Sequence, residues 1–263
     1  MSFVDFLYSA PIWQMGCAIG AIAVGSTIMA MVFVDRTWKK EHRQLHNDIA
    51  GFLIAVVGIV YAILISSLAI TVLARKDRAE NLVFEEAERV AALVREVGTL
   101  PEARRPEIHQ RISDYLDAVI DKEWPQMHRA ERPTAAEKSL RELWRDVTAL
   151  PVQNLSEMII VKDFREHIDD LYDVRRARSD LAVTGVDSVV WTVVLLGSIS
   201  IAVFAVMFGV ENFVAHLFMS CLLSFSIALA MIMIVAIDWP FYGQDSIGPG
   251  PLKVVRSDLA VSR

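Results

Sequence analysis

Residues Asp48 to Val97 read DIAGFLIAVVGIVYAILISSLAITVLARKDRAENLVFEEAERVAALVREV. The first part, Ile49 to Ala74, is 26 residues without a charge. As a helix it would span about 39 Å, more than the ~30 Å hydrocarbon core of a bilayer. It passes without a break into Arg75-Lys76-Asp77-Arg78. No proline falls between Asp48 and Leu100, and no glycine between Gly58 and Gly98. The expectation is one long helix that starts in lipid and ends in water. The rest of the chain then packs beside its apolar half or builds on its polar half.

The apolar half carries two neighbouring stripes. Gly51, Ala55, Gly58, Ala62 and Ala69 form a small face, which suits close helix packing in lipid. Ile59, Ile63, Ser67 and Ile70 recur at helical spacing on another face. Such a face suits lipid, a neighbouring helix or a narrow pore, and periodicity alone favours lipid or packing. In the polar half, Val83, Ala87, Val90, Val94 and Val97 make a short heptad seam. The seam has to pack on the following helices or on a second subunit.

Three further charge-free runs are long enough to span. Pro11 to Val34 is bracketed by Trp13 and Trp38, as interfacial anchors would be. Its Gly16 and Gly20 are a small-xxx-small pair. Ser188 to Val210 and Phe213 to Ile237 are separated only by Glu211-Asn212 and read as an antiparallel hairpin. His216, one turn into the last run, is expected to bond Glu211 or Asn212; a proton-sensing role is the sharper alternative. The connector between the first two runs carries His42 and His46, one helical turn apart. Two histidines without a third and fourth ligand are a poor zinc site, so a solvated turn is the reading.

Between Arg75 and Thr184 the pattern is helical, with no strand alternation and no hairpin dipeptide. Gly98 and Pro101 stop the long helix. Pro106 opens another that runs to Trp124-Pro125. Thr134 with Glu137 fits a capping box for a third, and a fourth starts at Ser156. It ends in a basic cluster, Arg175, Arg176 and Arg178, which suits acidic headgroups or a carboxylate network. The fold class is therefore all-α, an integral membrane protein with four transmembrane helices and a helical aqueous insertion between the second and third. The expected divisions are 11–74, 75–184, 185–238 and a tail, 239–263.

Composition narrows the function. Hydrophobic residues are 54% of the 263 and charged residues 22%, which points to segregated membrane and aqueous parts. A net charge of −6 argues against nucleic acid. Cys17 and Cys221 lie in apolar runs, so no disulfide framework is expected. With no Lys or Arg before Arg36, the first run is expected to be retained and not cleaved. No phosphate-binding loop, HExxH, GxSxG or CxxC is present. Adjacent carboxylates such as Glu85-Glu86 and Asp169-Asp170 point about 100° apart on a helix, and read as solvated faces. No enzyme, cofactor or metal is expected.

After the fourth run comes Asp238-Trp239-Pro240-Phe241-Tyr242-Gly243, the most specific string in the chain. Pro240 stops the helix, and Asp238 either snorkels out or pairs with a cation such as one from Arg175 to Arg178. Here the sequence resembles the bacterial bestrophin-like domain proteins, a family without an assigned function. The matching pieces are His46-Asn47-Asp48 with Gly51-Phe52, Arg75 through Glu85-Glu86-Ala87, and Glu123-Trp124-Pro125. Arg175-Arg176-Ala177-Arg178, Trp191 and the Asp238, Pro240, Phe241, Gly243 string continue the match. More distantly the chain is similar to bestrophin channels, which share four spans, a helical insertion and a D-x-P-F-type string. That resemblance implies a homo-oligomer, by analogy a pentamer, with an anion-selective pore lined by the second span. It places Ile59 and Ile63 at the neck, with Ser67 third, small and polar where an aromatic is expected. Animal channels of this kind bind calcium through an acidic cluster after the last span. The matching stretch here, Gln244 to Gly248, has one acid, too few for calcium.

The leading expectation is a homo-oligomeric channel in the cell membrane, contacting lipid and conducting inorganic anions. The alternative is a non-conducting scaffold or sensor whose helical part binds a partner or lipid through the heptad or the basic cluster. Lys and Arg near the span ends favour the insertion side over the other, eight against four. This predicts a cytoplasmic helical part with both termini.

Overall fold

The computed structural model describes residues 12–38, 47–243 and 246–261, and every regular element among them is helical. In chain order these are α1 (Ile12–Thr37), α2 (Asn47–Val97), α3 (Arg105–Ala118), a π-helical turn (Val119–Glu123) and α4 (Trp124–Met127). They continue with α5 (Glu137–Thr148), α6 (Leu155–Ala182), α7 (Ser188–Met207), α8 (Phe213–Asp238) and α9 (Gly250–Val261). Helices α1, α2, α7 and α8 are long and apolar enough to cross a membrane. The chain divides into two compact units, Met1–Ala74 with Val186–Asp238, and Arg75–Gly185 with Trp239–Arg263.

In the first unit α1 packs along α8, and α7 lies against both. The Gly16 and Gly20 pair serves this contact: Cβ atoms there would touch Ile232 and Phe225 of α8. The pair therefore has a partner inside the chain. In the apolar part of α2, Leu68 and Val72 join Val194, Met231 and Ile234 in a small buried cluster. Asn212 caps α8, its Oδ1 accepting the Val214 and Ala215 amides at 3.0 and 3.1 Å. α7 stops at Met207, earlier than the charge-free run, because Phe208 turns to an extended conformation.

In the second unit the heptad seam is interior. Val83, Ala87, Val90 and Val97 belong to one core with Tyr115 and Leu116 of α3, Leu140 and Leu143 of α5, and Phe164 and Leu171 of α6. The following helices, not a second subunit, satisfy it. α6 begins at Leu155, one residue before Ser156, with Asn154 as its N-cap, whose Oδ1 accepts the Glu157 amide at 2.9 Å. Glu157 returns the bond to the Gln153 amide at 2.8 Å, a reciprocal cap. The capping box expected at Thr134 and Glu137 does not form. Ala136 is the N-cap of α5, and its amide is given to Glu123 Oε1 at 2.9 Å. A carboxylate brought from another helix occupies the positive end of α5, so the local side chain is not needed.

Candidate functional site

The first candidate is the bare face of α2. Of the most apolar window of each span, 6% is buried in α2, against 17% in α1, 22% in α7 and 28% in α8. Ile59 and Ile63 are 63% and 66% exposed, and Ser67 is exposed on the same side. Ile70 continues this face, also exposed. Beside it, Ala55 and Ala62 are exposed, and a Cβ built on Gly58 would meet nothing within 4 Å. Among the described residues the small stripe thus has no partner over this length. At its start, a Cβ built on Gly51 would stand 3.9 Å from the Phe208 ring.

Two polar contacts hold α2 in this unit. Asn47 and Gly209 exchange hydrogen bonds: Nδ2 donates to the Gly209 carbonyl at 2.8 Å, and the Gly209 amide donates to Oδ1 at 3.0 Å. This satisfies backbone groups freed where α7 ends, a need that grows in an apolar medium. Two residues beyond Ile59, Tyr61 bonds Ser198 oxygen to oxygen at 2.5 Å. A Cβ on Gly197 would lie 2.6 Å from the Tyr61 ring, so only glycine lets that ring lie against α7. His216 is buried and bonds the Ala205 carbonyl through Nε2 at 2.9 Å, where Glu211 or Asn212 was the expected partner. The α7 backbone is simply nearer than the turn.

The second candidate is a charge cluster inside the other unit. Arg178 is fully buried, as are Glu86 and Glu123. Its guanidinium is a fork on Glu86, donating from Nε to Oε2 and from Nη2 to Oε1, the latter at 3.1 Å. Nη2 also reaches Glu123 Oε2 at 2.9 Å. Arg175 donates to Glu123 Oε1. Tyr115 donates to Glu86 Oε1 at 2.6 Å. The plane of Arg178 lies over the Trp124 ring, 5.0 Å from its centre, a cation–π contact. Two guanidiniums and two carboxylates cancel, as buried charges must.

The electrostatics follow from this pairing. Burial pushes the Glu123 carboxyl up, but Arg178, Arg175 and the Ala136 amide outweigh it and hold it below the usual carboxylate range. Burial and the Glu86 charge drive the Tyr115 phenol well above its ordinary value, so it stays a neutral donor. Burial alone would lower Arg178; Glu86 and Glu123 more than reverse that. The π-helical turn brings Glu123 here: the Trp124 amide reaches back five residues to Val119, which re-phases the helix after α3.

Part of this cluster departs from the expectation of solvated faces. Glu86 is not on a solvated face, although its neighbour Glu85 is half-exposed and pairs with Arg78 at 3.1 Å. Asp170 is exposed and pairs with Arg89 at 3.2 Å. Of the basic cluster, Arg175 and Arg178 are interior and Arg176 alone is exposed. The carboxylate network, one of the two readings offered, is where they go.

The string after α8 divides between the units. In the first, Asp238 is buried and accepts the Val186 amide through Oδ1 at 2.8 Å, next to the start of α7. In the second, Phe241 is buried edge-on against Trp124, with ring centres 6.1 Å apart. Trp124 Nε1 donates to the Ile247 carbonyl at 3.0 Å, and the Ile247 amide to the Pro240 carbonyl at 2.8 Å. Gly243 has φ of +88°, a conformation that favours glycine. Arg75 ties the turn before α7 by donating to the Thr184 carbonyl at 2.6 Å. A Cβ on Gly185 would stand 2.9 Å from the Trp239 indole. Among the described residues no group of three or more His, Cys, Asp or Glu is placed to hold a metal. His42, His46, Gln244 and Asp245 lie outside the described residues.

Known structures share this architecture. A bacterial bestrophin homologue from Klebsiella pneumoniae is 16% identical with a TM-score of 0.68, over 92% of this chain and 96% of that one. A single-substitution form of the Klebsiella pneumoniae homologue gives 15% and 0.69, over 97% of this chain and 98% of the other. A single-substitution membrane protein gives 17% and 0.70, over 92% and 96%. No curated protein sequence matches. The model of the bestrophin-like domain matches residues 21–252. With that match covering most of its length, the chain belongs to the bestrophin-like family.

Proposed function

We propose that the chain is one subunit of a homo-oligomeric, bestrophin-type channel, by analogy a pentamer, with a pore lined by α2. The supporting observation is that α2, of all four spans, is the least covered by its own chain. Ile59 and Ile63 form the constriction, and Ser67 widens and wets it toward the polar half. No charged side chain lies between Ile49 and Ala74. The barrier is therefore apolar, of the kind that gates by dewetting, with ion preference left to helix-end dipoles and the mouths. Anion permeation rests on the family resemblance. The helical unit and both termini are cytoplasmic in this reading, from the Lys and Arg balance. The surfaces suggested for a non-conducting scaffold, the heptad seam and Arg175 with Arg178, are interior, which favours the channel.

Reconstitution in planar bilayers under a chloride gradient tests this. The expected result is a current reversing toward the chloride potential, larger in Ile59→Ala and Ile63→Ala and blocked in Ile63→Trp. No current, reversal at the cation potential, or indifference to these substitutions would sink the corresponding part of the reading.

A further inference from the structure

A recess of about 320 Å³ lies between α1, α7 and α8, inside the first unit. Its floor is Thr27, Ser224, Ala228 and Met231, all buried, and its rim is Ile22, Leu195 and Ile199, all exposed. It follows α1 from Ile19 to Thr27, α7 from Leu195 to Ala202 and α8 from Ser224 to Met231. These are the middle portions of all three helices. At 1.5 Å per residue the recess is about 11–12 Å long, centred at the depth of the hydrocarbon core.

The wall looks polar in sequence and is not so in chemistry. Ser26 and Thr27 donate to the Ala23 carbonyl, each at 2.9 Å. Thr27 and Ser224 share a hydrogen bond of 2.6 Å. Ser198 donates to the Val194 carbonyl at 2.9 Å and accepts from Tyr61 at 2.5 Å. Each of these hydroxyls is thus engaged within the protein. A water needs two to four polar partners to settle in a recess, and here every hydroxyl proton is already committed, which leaves it no donor. An empty recess would forfeit its dispersion contacts. The medium that meets an exposed rim at this depth is acyl chain.

We infer that this recess is a binding site for one acyl chain of a membrane phospholipid. Recognition is by shape and dispersion, because the hydrophobic effect does not act between tail and helix within lipid. The small side chains Ala23, Ala202 and Ala228 open the slot, and the rim residues flank the chain. Ser198 joins the site to α2 through Tyr61, so occupancy bears on the helix proposed to line the pore. The binding itself does not depend on that proposal.

The test uses the full chain in nanodiscs containing phosphatidylcholine with a mid-chain diazirine. After photolysis, labelled residues are mapped by mass spectrometry. The expected result is labelling of Ile22, Leu195 and Ile199 about tenfold above the exposed Met29 and Phe218, the ratio of a site over bulk lipid. Ala202→Phe and Ala23→Phe, each filling the slot from a different helix, are expected to abolish that excess while leaving Phe218 labelling unchanged. Equal labelling of recess and exposed residues in the unsubstituted chain overturns the inference. So does an excess that survives both substitutions, or a rim left unlabelled by lipid, as cover by a second copy of the chain would leave it. Because the first comparison is made on the unsubstituted chain, a variant that fails to fold leaves the test intact.

Discussion

Replacing Arg178 with Met isolates what the buried cluster contributes. The methionine fills much of the same volume, so the change is mainly one of charge and hydrogen bonding. Glu123 keeps Arg175 and the Ala136 amide. Glu86 keeps only the Tyr115 hydroxyl among the contacts described above, at 2.6 Å. The orphaned charge therefore falls on Glu86, fully buried. Removing one partner of a buried pair costs about 3–5 kcal/mol. At about 2–4 °C per kcal/mol for a chain of this size, the midpoint falls by about 6–20 °C. The assay is thermal unfolding in nanodiscs followed by near-ultraviolet circular dichroism, which reports the Trp124 environment. Glu86→Gln in the Arg178→Met background removes the orphaned charge but leaves an acceptor for Tyr115, and is expected to recover part of the loss. Coupling of this kind is typically about 0.5–3 kcal/mol. Arg178→Met within 2 °C of the unsubstituted protein, the smallest shift that about 1 kcal/mol gives, would refute the reasoning. So would a double variant less stable than Arg178→Met alone.

Other outcomes follow from single contacts. Glu123 is held below its ordinary value, so between pH ~4.5 and its folded value the unfolded chain binds the extra proton; its contribution is complete above ~4.5 and lost as pH falls through the folded value. The midpoint of the second unit should decline on acidification from pH 5 to 3, and Glu123→Gln, less stable at neutral pH, should flatten that slope. Gly185→Ala places a methyl against the Trp239 indole and is expected to cost about 1–3 kcal/mol, with a shift in tryptophan emission. Gly197→Ala drives the Tyr61 ring off α7, at a similar cost of about 1–3 kcal/mol; unchanged melting would contradict the close approach. Asn47→Ala loses two hydrogen bonds to Gly209, at about 0.5–1.5 kcal/mol each, read as a lower midpoint in nanodiscs.

Much of this architecture was legible because lipid imposes a simple rule. A span must be long and charge-free, and all four runs appear as helices, shifted at their ends by a few residues. The shifts have local causes that a hydropathy pattern does not carry, such as the extended Phe208 and the Asn47 bridge to Gly209. The buried cluster was harder. A charged residue normally marks an exposed face, so Glu86 was read as solvated. Yet Glu86 stands on the row Leu82, Glu86, Val90 of α2, and Arg175 and Arg178 continue Ile168 and Leu171 on α6. Charges in step with an apolar seam are the signal that was available. It does not say which acid meets which base, since Glu86 and Arg178 are far apart in sequence and the π-helical turn re-phases Glu123. The Thr134 box failed for a related reason: a local cap lost to a carboxylate delivered by the fold.

The two parts of α2 differ in what they still need. From Ala79 to Val97 its apolar row is closed over by helices of its own unit. From Ala55 to Ile63 large and small stripes are both bare. A bare apolar helix is not unstable in lipid, so exposure alone does not call for a partner. The small stripe carries the argument instead. Gly58, with Ala55 and Ala62, permits a close helix approach that nothing among the described residues makes. At about 100° per residue, Ala55 and Ala62 sit roughly 40–60° from Ile59, and Gly58 about 100° from it on the same flank. Ile63 lies about 40° to the other side. A ring of identical helices needs this offset: a small flank for the neighbouring copy, and beside it a bulky face turned to the axis. A helix meant to lie in lipid has no use for small residues confined to one flank, which is why the pore reading gains more from Gly58 than from the isoleucines themselves.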